Sequence, residues 1–233
     1  MTNPAKKISK HNEEFNLKFN ESGHRYTILD DIVLDSVTTR LKDFFPFDAE
    51  KVAKKIADSR GVSHESILED WKRIRENGTH IHALAEKLCN GNKLCSDELE
   101  KVKHVTQFLE EHPQFEILGC EIRIFSKKYK IAGTVDLMLK HKETGKFYLL
   151  DWKTSPKEIE KDIYWEMAQG PLKDIPHNKF HSYSMQVTIY SLILKEEYGI
   201  DIYDSLLVHL KDDKTYRVIE PTDMLIFAEE VLA

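Results

Sequence analysis

The sequence lacks any apolar stretch near the roughly 20 residues that a membrane-spanning helix needs. It also has few cysteines: Cys89, Cys95 and Cys120 form an odd set without a C-x-x-C pair, which argues against disulfides, a zinc knuckle and an iron–sulfur cluster. Residues 1–16 carry no apolar block and are not acid-poor, unlike a secretory signal or a transit peptide. We therefore expect a cytoplasmic protein without membrane partners.

The sequence also lacks an excess of positive charge, because 40 acidic residues outnumber 34 basic ones and give a net charge of -6. This balance argues mildly against a nucleic-acid partner, which usually needs a basic surface. Residues 122–135 are an exception with no acidic side chain, and their cluster is either a face for a polyanion or a solvated hairpin tip. The cluster consists of Arg123, Lys127, Lys128 and Lys130.

The sequence has no internal repeat and no Pro/Gly/Ser-rich linker, so we expect one domain over residues 1–233. Residues 15–19 and 24–29 have strand-like patterns around the turn Glu21-Ser22-Gly23. Ser36 and Asp48 are candidate helix caps, and further helices are predicted up to about Asn90. We expect Gly91 to stop this run and Asp97 to cap another helix that ends before Pro113.

From Phe115 the apolar period changes from helical to strand-like. Strands are predicted over residues 115–125, 129–140 and 146–153, followed by a polar and aromatic loop over 155–180. A helix over about 181–198, stopped by Gly199, and strands over 203–210 and 215–220 come next, and Thr222 is a candidate cap for a last helix. This order predicts a mixed α/β sandwich, with a hairpin and helical elaboration over about 1–75 and a core over about 76–220.

The strand over 146–153 ends in Asp151-Trp152-Lys153, where side chains two residues apart share a face. A carboxylate that holds a hard cation, beside an ammonium that orients or deprotonates water, suits phosphodiester cleavage. The alternative is a surface ion pair worth at most about 1 kcal/mol. Asp212-x-Lys214 has the same spacing in a predicted turn, so the tripeptide alone is weak support.

Asp136 interrupts an apolar run on the preceding strand, where an unpaired carboxylate would be costly to bury. Hairpin pairing could bring it beside Asp151, and two such oxygen ligands favour Mg²⁺ or Mn²⁺. Alternatively, Asp136 pairs with Lys153 and binds nothing.

Other candidate side chains are His82 and Glu86, four residues apart on a helix that begins at Gly78, and Glu121 on the strand before the basic cluster. Each could be a ligand or an ordinary surface residue. Gln186 and Tyr190, with Tyr183 one turn earlier, could contact a phosphate or a base, or form the edge of the core.

Taken in order, G-x-x-x-H at 78–82, G-x-x-D at 133–136, D-x-K-T-S at 151–155 and Q-x-x-x-Y at 186–190 resemble the RecB-type branch of the PD-(D/E)XK nucleases. Ser36-Val37-Thr38, Trp71, Glu121 and the D-W-K-T-S string are similar to its stand-alone exonucleases, the group of mitochondrial genome maintenance exonuclease and its phage and bacterial relatives. The resemblance covers most of residues 30–195. It implies a restriction-endonuclease-like core: helix, three strands, helix and strand, with a mixed sheet flanked by helices.

The resemblance also implies roles for individual residues. His82, Asp136, Asp151 and the main-chain carbonyl of Trp152 would bind Mg²⁺ or Mn²⁺, and Lys153 would be catalytic. The remaining implied positions contact DNA: Ser36, Thr38, Thr154, Ser155, Tyr183, Gln186 and Tyr190, with the four basic residues of 122–135. No position after Cys120 could complete the four-cysteine cluster of some relatives, so we expect no iron–sulfur cluster.

The sequence therefore predicts a metal-dependent DNA exonuclease acting on single strands or DNA ends in replication, recombination or repair, in a prokaryotic cell or a phage-infected host. Two other readings stay open. One is a structure-specific endonuclease. The other is a catalytically silent DNA-binding or protein-interaction subunit of a replication or recombination complex.

Overall fold

The computed structural model describes residues 3–20 and 25–233. The chain begins with helix α1, Pro4–Glu14, which the sequence analysis did not predict; Asn3 caps it by accepting a hydrogen bond from the backbone N–H of Ala5. Strand β1 is Lys18–Asn20 and β2 is Arg25–Ile28, and they pair antiparallel, so the expected hairpin forms. Its predicted turn, Glu21-Ser22-Gly23, lies outside the described residues. The strand predicted from residue 15 begins only at Lys18, because Phe15 still belongs to the end of α1 as its C-terminal cap.

A further strand and three helices follow the hairpin. Strand β3, Ile32–Ser36, leads directly into helix α2, Val37–Leu41, which Ser36 caps as predicted. Asp48 caps helix α3, Ala49–Arg60, also as predicted. Helix α4 is His64–Cys89, ends at the predicted Asn90 and Gly91, and begins at a cap on Ser63.

The prediction that a helix begins at Gly78 is wrong, because Gly78 and His82 lie inside α4. A helix of 26 residues tolerates one internal glycine at a cost of about 1 kcal/mol. Helix α5, Ser96–Lys101, is capped at Cys95 rather than at Asp97, which lies in the first turn where its charge favours the helix dipole. Helix α6, Lys103–Glu111, ends before Pro113 as expected.

Within residues 3–20 and 25–233 the strands form one sheet of eight strands with mixed direction. Strands β4 (Phe115–Ser126), β5 (Ile131–His141) and β6 (Phe147–Lys153) form an antiparallel meander. Strand β5 is central: it pairs antiparallel with β4 and β6 and parallel with β3. Strand β7 (Ile202–Leu210) is parallel to β6, and β8 (Tyr216–Ile219) is antiparallel to β7. The mixed α/β architecture expected from the sequence is therefore present.

Helix α7, Lys179–Tyr198, provides the crossover between the parallel strands β6 and β7. Asn178 caps its start, and Gly199, with φ of 58°, ends it in the left-handed conformation that glycine adopts without strain. The predicted loop before it contains a short 3-10 turn, Gly170–Leu172, and an isolated β-bridge between Met167 and Pro176. The last helix, α8 (Leu225–Leu232), is not capped by Thr222, whose backbone N–H donates to Ser184 instead.

Alternating side chains of the central strands supply two cores, one on each face of the sheet. Met138 and Leu149 pack with α7 and α8, whereas Leu137 and Leu150 pack with α4 and α6. Helices therefore cover both faces and can deliver side chains to the strand ends. No helix within residues 3–20 and 25–233 is long and apolar enough to cross a membrane.

Candidate active site

Two carboxylates meet where β5 and β6 run side by side. The antiparallel register pairs Leu137 with Leu150, so the next positions, Asp136 and Asp151, are neighbours, as the sequence predicts. Asp136 Oδ2 accepts a hydrogen bond of 2.8 Å from the backbone N–H of Trp152. Asp151 is 3% exposed and Asp136 has a side chain that is 11% exposed, so both charges are held largely out of water.

Glu121 and His82 complete a group of possible metal ligands around Asp136. Their ligand atoms and one of Asp136 all lie within 4.8 Å of one another, and His82 Nδ1 is 3.4 Å from Asp136 Oδ2. The register of β4 on β5 places Glu121 opposite Asp136, since Cys120 pairs with Leu137 and Ile122 with Val135. Glu121 has φ of 47°, a strained conformation for a residue with a side chain.

The electrostatics of this group show a deficit of positive charge. Burial, followed by the charge of Asp151, raises the pKa of Asp136 to about 6. Burial, followed by the charges of Asp136 and Glu86, raises the pKa of Glu121 to about 8. Glu86 therefore acts on the group from nearby without belonging to it. A divalent cation is the simplest means of offsetting this repulsion.

A second network joins β6 to α7. Lys153 Nζ lies 2.5 Å from Asp151 Oδ2 and donates a 3.0 Å hydrogen bond to Oε1 of Gln186. The Gln186 amide donates in turn to Asp151 Oδ1 at 3.2 Å and to the Tyr190 hydroxyl at 3.0 Å. Asp151 Oδ2 lies against the Lys153 ammonium, so the two side chains form a largely buried ion pair at the end of β6.

Lys153 is held as an ammonium by this network. Burial acts to lower its pKa, but the negative charges of Asp151 and Asp136 outweigh burial, and the pKa is raised. Its Nζ also lies 4.1 Å from the centre of the Tyr183 ring, a favourable cation–π distance. In this state Lys153 can stabilise negative charge but cannot accept a proton from water.

The two motif glycines give the helices room to approach the strands. A Cβ on Gly78 would lie 2.6 Å from Oγ1 of Thr154, so the glycine allows α4 to pack against the segment that follows Lys153. A Cβ on Gly133 would overlap Cε1 of Tyr190. Both glycines are therefore explained by close packing rather than by unusual backbone angles.

Gly133→Ala is expected to destabilise the fold by about 1–3 kcal/mol, because the added methyl group overpacks a buried tyrosine. Chemical unfolding followed by circular dichroism measures this change. The double variant Gly133→Ala/Tyr190→Ala is the control, since removing the ring should make the methyl group nearly harmless in that background. Equal destabilisation by Gly133→Ala in both backgrounds would contradict the packing argument.

The two networks face one open cleft of about 470 Å³. Thr154 and Ser155 line it, as predicted for substrate contact, and Arg75, Thr79 and Lys179 line it although the sequence analysis missed them. A signal was available, because Lys179 lies one turn before Tyr183 on the stripe that contains Gln186 and Tyr190. A second cleft of about 540 Å³ lies between α7, β7 and α8 and contains none of the predicted residues.

The basic cluster of residues 122–135 does not line the cleft that contains Asp136 and Asp151. Lys127 and Lys128 form ion pairs with Glu197 and Glu196 at the end of α7, and Arg123 lies over the ring of Phe19. Lys130 has φ of 51° in the turn before β5. Ser36 is buried as the cap of α2 and bonds to Thr38, and neither lines the cleft.

Comparison with known proteins gives no family assignment. No protein-family model and no curated protein sequence matches the chain. A solved structure titled "Crystal structure of SSO0001" aligns with 97% of this chain and 83% of its own length, at 15% identity and a TM-score of 0.35. That similarity is too low to carry an argument about fold or function.

Proposed function

We propose that the protein is a metal-dependent deoxyribonuclease, an exonuclease of the PD-(D/E)XK class and its RecB-type branch. One observation carries the proposal: side chains far apart in sequence, predicted from ordered motifs, converge on one cleft. His82 comes from α4, Asp136 from β5, Asp151 and Lys153 from β6, and Gln186 from α7. An ion pair formed by chance would have no reason to recruit this particular set.

The order of elements supports a restriction-endonuclease-like core. Helix, three antiparallel strands, crossover helix and parallel strand occur in sequence as α4 to α6, β4 to β6, α7 and β7. Helix α4 begins at His64 and runs through residue 75, so the boundary proposed between the elaboration and the core falls inside one helix.

Mg²⁺ or Mn²⁺ fits the side chains present. Asp136, Asp151 and His82, joined by Glu121, offer oxygen and imidazole ligands, and the raised pKa values of Asp136 and Glu121 are those of clustered carboxylates that lack a compensating cation. The carbonyl of Trp152 is a further proposed ligand. A divalent cation held here would polarise the scissile phosphate and make water a better nucleophile.

The chain's own residues then have distinct tasks. Lys153, fixed as an ammonium, would stabilise the negative charge that develops on the phosphate oxygens. Gln186 orients Lys153 through its amide oxygen and Asp151 through its amide nitrogen, and Tyr190 holds Gln186 by accepting from the same nitrogen. The pKa of Tyr190 is raised well above its usual value, chiefly by burial, so Tyr190 remains a neutral phenol.

Positive charge at the cleft supports a polyanionic substrate despite the net charge of -6. Arg75 on α4 and Lys179 at the start of α7 are exposed and line the cleft, and within the described residues neither forms an ion pair with a carboxylate. They would contact phosphates on either side of the bond that is cut. DNA as the substrate, single-stranded or with free ends, is part of the proposal.

The proposal predicts that the protein with Mn²⁺ degrades linear single-stranded DNA and that EDTA abolishes the degradation. Circular single-stranded DNA of the same sequence should survive, because an exonuclease needs an end. Gel analysis of end-labelled and circular substrates distinguishes the outcomes. Equal cleavage of both forms would replace the exonuclease by an endonuclease, and no EDTA-sensitive cleavage of either would overturn the function.

A further inference from the structure

The segment between β6 and α7 presents an unusually exposed aromatic side chain. Trp165 is 98% exposed, and Ile163 and Tyr164 beside it are 63% and 46% exposed. Within residues 3–20 and 25–233, no ring stacks on Trp165 and no cation lies over it. A protruding apolar cluster of this kind usually marks a binding surface.

This cluster is held in place rather than loosely attached. The Asn178 amide donates to the backbone carbonyls of Lys161 and Ile163, at 2.8 and 3.2 Å, while its oxygen caps α7. On the other side of Trp165, His177 Nδ1 lies 3.0 Å from Glu166 Oε1, within hydrogen-bond distance. The chain is therefore held on both sides of Trp165, which reduces the conformational entropy that binding would cost.

The same anchors place the cluster beside the cleft. Both ends of the segment line the cleft, at Ser155 and Lys179, and Asn178 is the residue directly before Lys179. Trp165 is two residues beyond the Ile163 carbonyl that Asn178 binds, a span of at most about 7 Å along the chain. The indole is therefore within reach of a strand that leaves the cleft past Lys179.

Lysines of the same segment can contact the phosphates of a strand that passes the cluster. Two of the five carboxylates in this segment are paired with cations, Glu158 with Lys211 and Glu160 with Arg217, and Glu166 lies within hydrogen-bond distance of His177. Lys157 and Lys161 have no carboxylate partner within the described residues. Negative charge is thus partly neutralised while two lysines remain available.

We propose that Trp165 is a stacking platform for an unpaired base of the nucleic-acid strand whose phosphate lies in the cleft. This inference rests on the proposed function and narrows its substrate to a strand with unpaired bases next to the cut. A flat aromatic face accepts any base, so the contact adds affinity without sequence preference. Paired bases are shielded by their neighbours and cannot use it.

The test measures binding without cleavage. Fluorescent oligo(dT) is titrated in EDTA with the full-length wild type, Trp165→Ala, Trp165→Phe and the control Ile226→Ala, which removes an 80% exposed apolar side chain from α8. Trp165→Ala should weaken binding about 5- to 150-fold, and Trp165→Phe should recover most of the loss. Ile226→Ala should bind as the wild type does, and duplex DNA should bind equally to all four.

Intrinsic fluorescence provides an independent reading, because oligo(dT) should quench the indole of Trp165 and the quenching should vanish in Trp165→Ala. Equal affinity of wild type and Trp165→Ala, or no binding by wild type, overturns the inference. A change from dimer to monomer in sedimentation of Trp165→Ala would also overturn it in favour of a self-association surface. Because EDTA excludes cleavage, stacking without later metal-dependent cleavage would refute the proposed function alone.

Discussion

Lys153→Met is expected to lower metal-dependent DNA cleavage by about 100- to 1,000-fold, the usual effect of losing one group that stabilises transition-state charge. Lys153 is an ammonium that Asp151 and Gln186 hold at the cleft, so methionine removes the charge and leaves much of the side-chain volume. Initial rates on end-labelled single-stranded DNA at saturating Mn²⁺ measure the effect.

Lys214→Met is the matched control. Asp212-x-Lys214 repeats the spacing of Asp151-x-Lys153, but it lies in the turn between β7 and β8 and outside the cleft. That variant should cleave DNA at the wild-type rate. Similar rates for Lys153→Met and wild type, with both folded, would remove Lys153 from the catalytic site.

Metal removal should have the second large effect, this time on stability. A cation at 100 times its dissociation constant stabilises the native state by about 2.7 kcal/mol, so Mn²⁺ should raise the melting temperature of EDTA-stripped protein by about 5–10 °C. Glu121→Gln and Asp136→Asn should reduce this rise, because each removes one carboxylate of the group around His82. Differential scanning calorimetry with and without Mn²⁺ measures it.

Without metal, removing a carboxylate from this group should instead stabilise the fold, as Glu121→Gln illustrates. Burial, then Asp136 and Glu86, raises the pKa of Glu121 from 4.5 to about 8, so its ionisation is less favourable in the folded chain than in the unfolded one. The stability that depends on the protonation of Glu121 is thus fully present below pH 4.5 and is lost as the pH rises from 4.5 towards 8. At pH 8 in EDTA, Glu121→Gln should be more stable than wild type, by about 1–3 kcal/mol after allowing for partial exposure.

Asp212→Asn supplies the control for both conditions, since it removes an exposed carboxylate far from the cleft and should change neither the Mn²⁺ effect nor the pH dependence. If Glu121→Gln were less stable than wild type at pH 8 in EDTA, the repulsion deduced at the site would be absent. If Mn²⁺ raised the melting temperature of Asp136→Asn as much as that of wild type, the cation would bind elsewhere.

Much of the fold follows from local sequence signals. The apolar alternation from Phe115 onward predicts β4, β5 and β6 within a few residues, because a strand with a buried face fixes its own pattern. Ser36 and Asp48 predict helix starts because capping is a local hydrogen bond. The neighbourhood of Asp136 and Asp151 follows from hairpin pairing across a short turn.

The failures have long-range causes. The charge of the basic cluster is visible in the sequence, but its partners Glu196 and Glu197 are about 70 residues away and meet it only in the folded chain. Glu121 was one candidate among several because its position opposite Asp136 depends on the β4 register. Gly78 suggested a helix start, whereas its role is to admit Thr154, a contact between segments 76 residues apart.

The most direct test of the central claim is a crystal structure of the protein with a short single-stranded oligonucleotide and Ca²⁺, a cation that prefers the same oxygen ligands as Mg²⁺. The account predicts a cation bound by Asp136 and Asp151, a phosphodiester near the strand end beside Lys153, and an unpaired base on Trp165. DNA bound away from this cleft, with no cation at Asp136 and Asp151, would contradict it.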